Sequence, residues 1–252
     1  VTNAGIVGDW PGRDVELLSL DAGNTVVFLD HERLAASLAR AGFAVSAEAL
    51  IVAEDETMRA GFSGDALALD WSRARDAATR SWGIFMGTLL VKAGADRSAA
   101  SAMLEPLFEE HVAFNFWWKV PDGLVSALAE ARAAGLRLIV VSNSEGVLEP
   151  LLDRVGILKL FDHVFDSGVV GVEKPDPRIF HIALEAAGVP ASRSLHIGDS
   201  DVDVRGALAA GLRAGIVDPR GRLEGLHPGV PRVPNAGDVA RRLAAVATGR
   251  RA

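Results

Sequence analysis

A chain of 252 residues, 49% hydrophobic and 23% charged, has ordinary globular composition and is long enough for one large domain or a core plus a smaller one. It has no cysteine, which excludes disulfides, thiolate chemistry and sulfur-ligated zinc, and no apolar run of 18 residues that would predict a membrane span. The 33 acidic residues outnumber the 26 Lys and Arg, giving a formal charge of −7; no basic tract stands out, so a nucleic-acid partner is not expected.

The first ten residues, VTNAGIVGDW, lack the basic segment and apolar core of a secretory signal, and a cytoplasmic protein, monomeric or homodimeric, is the expectation. The apolar run VELLSLD (15 to 21) predicts a buried strand ending at Asp21, followed by an Ala-Gly-Asn-Thr turn. HERLAASLARAG (31 to 42) predicts a helix with Leu34, Leu38 and Ala41 on one side and Gly42 as its C-cap. Apolar residues three and four apart predict further helices over 47 to 69, 71 to 93 and 98 to 111, interrupted at Gly61, Gly64 and Gly83. No strand-like alternation stands out between 31 and 118.

The texture changes after Pro121. DGLVSALAEARAAG (122 to 135) predicts a helix and LRLIVVSN (136 to 143) a continuous apolar strand ending in polar residues. A helix over 146 to 155, a short strand over 163 to 167 and a helix over 176 to 188 with an early proline follow. SLHIGD (194 to 199) predicts a strand, 203 to 211 a helix and 212 to 218 a strand; a Pro/Gly-rich loop (219 to 235) then leads to a last helix, 236 to 247. Strands apolar along their whole length, alternating with helices, predict a parallel sheet covered on both faces. The expected fold is thus α/β, a Rossmann-like three-layer core over 14–30 and 119–252, with 31–118 as an inserted all-helical domain.

Ligands of open α/β sheets bind beyond the carboxyl ends of the strands. Those ends offer Asp21, then Ser142 and Asn143, then Glu173 and Lys174 before the helix at 176, and finally Asp199, Asp201 and Asp203. Each has a plain structural explanation: Asp21 as a turn cap, Ser142 and Asn143 or the later aspartates as helix caps, Lys174 in solvent. Their joint occurrence points instead to phosphoryl chemistry. A carboxylate near a hard cation can attack a phosphoryl group if lysine, hydroxyl and backbone N–H groups neutralise the phosphate oxygens. Two carboxylates, a carbonyl and waters suit Mg²⁺.

The stretches DAGNT (21 to 25), VVSN (140 to 143), GVEKPDPRIF (171 to 180) and HIGDSDVDVRGALAAG (196 to 211) resemble, in order, the four motifs of the haloacid dehalogenase-like hydrolase superfamily. The resemblance implies a Rossmann-like sheet with a mobile cap, and the block 31–118 matches the subgroup with a helical cap between the first two motifs. It implies Asp21 as the nucleophile that becomes an aspartyl-phosphate, Thr25, Ser142 and Asn143 as phosphate-binding residues, and Lys174 as the neutralising cation. It further implies Mg²⁺ held by Asp21, the Gly23 carbonyl and Asp199. Asp203 would act through water or a neighbouring ligand, with Asp201 close enough in sequence to compete.

One position departs from the pattern. Phosphatases of this family usually carry a second acid two residues after the nucleophile, and here that residue is Gly23. General acid–base catalysis is typically worth ~10²–10⁴-fold, so hydrolysis of ordinary alkyl phosphates should suffer unless Asp30, His31, Glu32 or a cap residue substitutes. The leading expectation is a Mg²⁺-dependent hydrolase of a small phosphorylated metabolite. A 2-haloacid dehalogenase is a second expectation, disfavoured by Asp199. A binding or regulatory member with little turnover is a third. In the expected cap, Trp82 and Phe85 read as packing, while Trp71, Met86, Trp117 and Trp118 are further candidates for packing or substrate contact. Arg59, Arg73, Arg75, Arg80 and Lys92 are candidates for an anionic substrate tail.

Overall fold

The computed structural model describes residues 10–60, 71, 77–221, 223, 225 and 227–249. The first elements in chain order are β1 (Leu17–Leu20), β2 (Phe28–Leu29), α1 (His31–Arg40), α2 (Ala47–Ala60), α3 (Ala77–Lys92), α4 (Arg97–Phe114) and β3 (Trp117–Lys119). They are followed by α5 (Leu124–Ala133), β4 (Arg137–Ser142), α6 (Leu148–Arg154), β5 (His163–Asp166), α7 (Ser167–Val170), α8 (Arg178–Ala187) and β6 (Ser194–Gly198). The chain continues through α9 (Asp201–Ala209), β7 (Arg213–Val217), β8 (Arg232–Val233) and α10 (Ala236–Gly249). Two compact units result, one from the residues up to Phe28 and from Lys119 onward, the other Leu29–Trp118.

The first unit is an α/β fold of the Rossmann-like kind, with a six-stranded sheet in the order β5-β4-β1-β6-β7-β8. Every neighbouring pair runs parallel. Helices cover both sides, which is why β1 can be Leu-Leu-Ser-Leu with every residue buried: neither face meets water. On one side Ile179, Phe180 and Leu184 of α8 and Val204 and Ala207 of α9 pack on Leu17, Ile139, Val141 and Ile216. The register Leu20↔Val140 and Leu20↔Ile197 brings β1, β4 and β6 to an end side by side.

The second unit is helical and has its own core, built on Leu34, Leu38, Leu50, Met86, Leu89, Leu104 and Phe116. Trp82 and Phe85 are buried there, as their helical spacing suggests. Trp82 meets the Phe108 ring edge-on at 5.0 Å and lies 5.3 Å from the His111 ring. Arg59 and Arg80 are exposed and Lys92 lies 3.8 Å from Glu56. Arg73, Arg75, Gly61 and Gly64 lie outside the described residues.

Several elements differ from the sequence expectation. Gly83 does not interrupt α3; a Cβ there would lie 2.4 Å from the Trp71 ring, so the missing side chain lets an indole lie against the helix. Ala41 falls one residue past α1 and is exposed, leaving Leu34, Ser37 and Leu38 as the buried face. Trp117 and Trp118 lie in β3, which forms a two-stranded sheet with β2, not on a helix. Trp117 accordingly packs on Phe85, while Trp118 stacks 4.9 Å from the Arg33 guanidinium. The segment 219–235 contains β8, a two-residue strand too short to show periodicity, and α9 begins at Asp201, not at 203.

Candidate active site

The turn after β1 is tight. Val26 and Val27 N–H both donate to Ala22 O, at 2.9 and 3.0 Å, and Asn24 takes the left-handed conformation with φ 53°. Asp21 stands at its mouth, buried, with its own N–H donating to Ile197 O of the neighbouring strand at 2.8 Å. One carboxylate oxygen, Oδ1, accepts from Ser142 Oγ at 2.9 Å and from Lys174 Nζ at 2.6 Å. Residues 121 and 153 positions apart thus converge on a single atom.

Lys174 is buried, with its ammonium divided among three acceptors: Asp21 Oδ1, Asp203 Oδ1 at 2.5 Å and Val141 O at 2.9 Å. Burial acts to lower its pKa, but the charges of Asp203 and Asp21 outweigh that and hold it well above the usual lysine range. Asn143 fixes the lysine's backbone at both ends. Its Nδ2 donates to Lys174 O at 2.9 Å and its Oδ1 accepts from Lys174 N–H at 2.8 Å. The side-chain amide predicted to meet phosphate is thus engaged with the lysine loop. Thr25 Oγ1 is buried with no protein hydrogen-bond partner.

Asp203 is the N3 residue of a capping box whose N-cap is Ser200. Its Oδ2 accepts from Ser200 N–H at 3.1 Å and from Ser200 Oγ, while Oδ1 accepts from Lys174 and from His196 Nε2, the latter at 3.1 Å. Burial opposes its charge, yet Lys174 and His196 more than compensate and its carboxyl is held well below the usual range. Gly198 allows the approach, since a Cβ there would lie 2.1 Å from Asp203 Cγ. Asp201, the sequence competitor, turns elsewhere: it meets His227 Nε2 at 2.6 Å and Arg205 Nε at 2.7 Å.

Asp21, Asp199 and Asp203 each offer a carboxylate oxygen within 4.8 Å of the others. Three carboxylates with one ammonium leave an excess of negative charge where burial makes charge costly. The tension shows at Asp199, whose carboxyl is held well above the ordinary range, first by burial and then by Asp21 and Asp203; an Asn24 side-chain hydrogen bond and Lys174 only partly offset this. Burial is also the largest influence on Asp21, raising its carboxyl against the pull of Lys174. Oxygen donors alone, with surplus negative charge, fit a hard divalent cation such as Mg²⁺.

The electrostatics predict an unusual stability effect. An acid whose folded pKa is raised stabilises the fold below its ordinary pKa and loses that contribution as pH rises through the raised value. Asp199→Asn, uncharged throughout, is therefore expected to raise the metal-free Tm at pH 8 by about 2–4 °C, equivalent to roughly 1 kcal/mol. The difference should close as pH falls toward 5, and Mg²⁺ should stabilise the variant less than the parent. Thermal melts with EDTA and with Mg²⁺ test this; a variant less stable than the parent at pH 8 without metal would contradict it.

Sequence reasoning missed Asp166, which accepts from three backbone N–H groups, those of Gly146, Leu148 and Gly168, and so ties β5 to the loop after β4. In the sequence His196 reads only as a strand residue, without its partners. The strand-end position of Asp166, matching that of Asp21 and Asp199, is the signal that could have identified it. Asp30 and His31, named as substitutes for the missing acid, are engaged in the helical unit: Asp30 caps α1 through Arg33 N–H, and His31 Nε2 lies 3.1 Å from Glu54.

The model of the haloacid dehalogenase-like hydrolases matches residues 16–211. Haloacid dehalogenase-like hydrolase domain-containing protein 3 of Bos taurus is 40% identical over 123 residues, 48% of this chain and 49% of that protein. The phosphoserine phosphatase of Thermus thermophilus is 38% identical over 144 residues, 56% of this chain and 54% of that protein. This chain thus spans about half the length of each of these two relatives. Among solved structures, a 2-haloacid dehalogenase from Pseudomonas syringae has a TM-score of 0.52 at 22% identity, covering 94% of this chain and all of that one. At that identity the likeness is one of fold. Taken with a family match that extends from the first strand to the end of α9, the buried Asp21–Lys174–Asp203 cluster at the strand ends marks the chain as a member of the haloacid dehalogenase-like hydrolases.

Proposed function

We propose that the protein is a Mg²⁺-dependent phosphatase acting on a small phosphate monoester through an aspartyl-phosphate, with the helical unit serving as its cap. The observation that carries the reading is the sharing of one buried ammonium between Asp21 and Asp203, within a three-carboxylate group. Asp21, Asp199 and the Gly23 carbonyl would hold the metal, with Asp203 acting through water. When bound, Mg²⁺ supplies positive charge for the carboxylates and the phosphate oxygens.

An oxygen of Asp21 attacks phosphorus as the bond to the ester oxygen breaks. Lys174, Thr25 Oγ1 and Ser142 Oγ meet the charge on the phosphoryl oxygens. Asn143 acts indirectly, by fixing the main chain of Lys174. Water then splits the acyl phosphate, releasing inorganic phosphate and restoring the carboxylate. Reaction at a 2-haloacid is the weaker reading, because that displacement needs no metal and so has no use for the acid at 199.

Gly23 brings no acid to the departing oxygen, so kcat/KM should depend strongly on leaving-group pKa, with aryl phosphates well ahead of alkyl and sugar phosphates. The left-handed residue of the turn is Asn24, and a side chain at position 23 meets no positive-φ strain. Gly23→Asp is therefore expected to raise alkyl phosphate turnover by about 10²-fold and aryl turnover by much less. Rates across a monoester series, with and without EDTA, test the function and the role of position 23 together. Metal-independent turnover, or chloride release from 2-chloropropionate in place of phosphate release, would overturn the reading. A flat leaving-group dependence would show that another group delivers the proton.

A further inference from the structure

Resting on the reading that Lys174 works on the reacting phosphate, we propose that His196 is a positioning residue: Ser19 sets its ring, the ring sets the Asp203 carboxylate, and the carboxylate sets the Lys174 ammonium. Ser19 and His196 are directly opposite each other in the parallel register of β1 and β6, in the middle of the sheet. Both have 0% exposure, and their neighbours along the strands are Leu18, Leu20, Leu195 and Ile197. A hydroxyl and an imidazole buried in the middle of a sheet cost free energy that an apolar pair would not. Packing alone does not account for them.

The contacts form an unbroken line. Ser19 Oγ lies 2.8 Å from His196 Nδ1, and His196 Nε2 lies 3.1 Å from Asp203 Oδ1. That oxygen is 2.5 Å from Lys174 Nζ, which is 2.6 Å from Asp21 Oδ1. An ionised Asp203 can only accept, so Nε2 must carry a proton; in the neutral ring Nδ1 then accepts from the Ser19 hydroxyl. The Phe180 ring meets the imidazole edge-on at 4.8 Å and fixes its plane. With Ser200 holding Oδ2, His196 supplies the fourth donor to Asp203, so the carboxylate has one orientation in which every acceptor position is used.

The test combines nitrogen-15 NMR with kinetics on p-nitrophenyl phosphate. In the metal-free parent protein, His196 should be the Nε2–H tautomer and the Lys174 ammonium should give a sharp resonance. His196→Phe keeps the ring packed on Phe180 but removes the donor. It should broaden the lysine resonance and lower kcat by about 10–100-fold, with KM changed by less than about threefold. His196→Gln, which can still donate to Asp203, should recover part of kcat, and Ser19→Ala should give mixed tautomers. A sharp lysine resonance with full kcat in His196→Phe, or an Nδ1–H tautomer in the parent, would overturn the proposal. If His196→Phe does not fold, Ser19→Ala decides alone: an unchanged tautomer and lysine resonance overturn it. If the parent protein has no phosphatase activity, the resonances still decide the positioning role separately from the function.

Discussion

Asp21→Asn is expected to lower turnover of any phosphate monoester by at least about 10⁴-fold, the scale on which loss of a covalent nucleophile is felt. The amide keeps the shape of the carboxylate, and its oxygen can still accept from Ser142 Oγ and Lys174 Nζ, but it cannot form an acyl phosphate. The fold should survive. Burial is the largest influence on the Asp21 carboxyl and acts against its charge, so a neutral isostere should leave Tm within a few degrees of the parent. Initial rates and thermal melts on protein freed of host phosphatases make the comparison. Retention of most of the activity would mean that Asp21 is not the nucleophile.

Lys174→Met should have the largest effect on stability. It removes the cation shared by Asp21 and Asp203 and leaves the Val141 carbonyl without that donor. Breaking a buried ion pair from one side typically costs ~3–5 kcal/mol, which for a chain of this size corresponds to a fall in Tm of roughly 6–20 °C. Activity should be lost as well, but Mg²⁺ distinguishes the two losses. The variant's carboxylate group is more negative, so saturating Mg²⁺ should restore part of its thermal stability by mass action without restoring catalysis. A variant with unchanged metal-free Tm would show that Lys174 does not balance these carboxylates.

The site was legible wherever its residues end strands. Parallel strands buried on both faces read as largely apolar runs, and the polar residues at or just past their ends, Asp21, Ser142 and Asp199, follow directly. Partnership is not written in that way. Nothing local to Ser19 or His196 records that they face each other across 177 positions, because the pairing depends on the register of two strands. The use of Asp203 was only partly visible: an S-x-x-D pattern at 200 to 203 signals a capping box, but the lysine that shares the carboxylate comes from a separate loop. Tertiary packing decided Gly83, which has a helix breaker's propensity yet lies inside α3 against Trp71. Trp117 and Trp118 follow a long helical texture, and a three-residue strand carries too little pattern to be seen beside it.

The double use of Asp203 ties the start of a helix to the charge balance of the site. Helix ends ordinarily fray, opening and closing with little consequence for the rest of a protein. At α9, unwinding the first turn would pull the Asp203 carboxylate from Ser200, Lys174 and His196 at once. The amides at this terminus should therefore exchange with solvent only as slowly as the cluster itself opens. In the proposed phosphatase, a helix end held in this way would keep the ammonium beside Asp21 aimed between encounters with substrate, so that little of the alignment has to be found again each time.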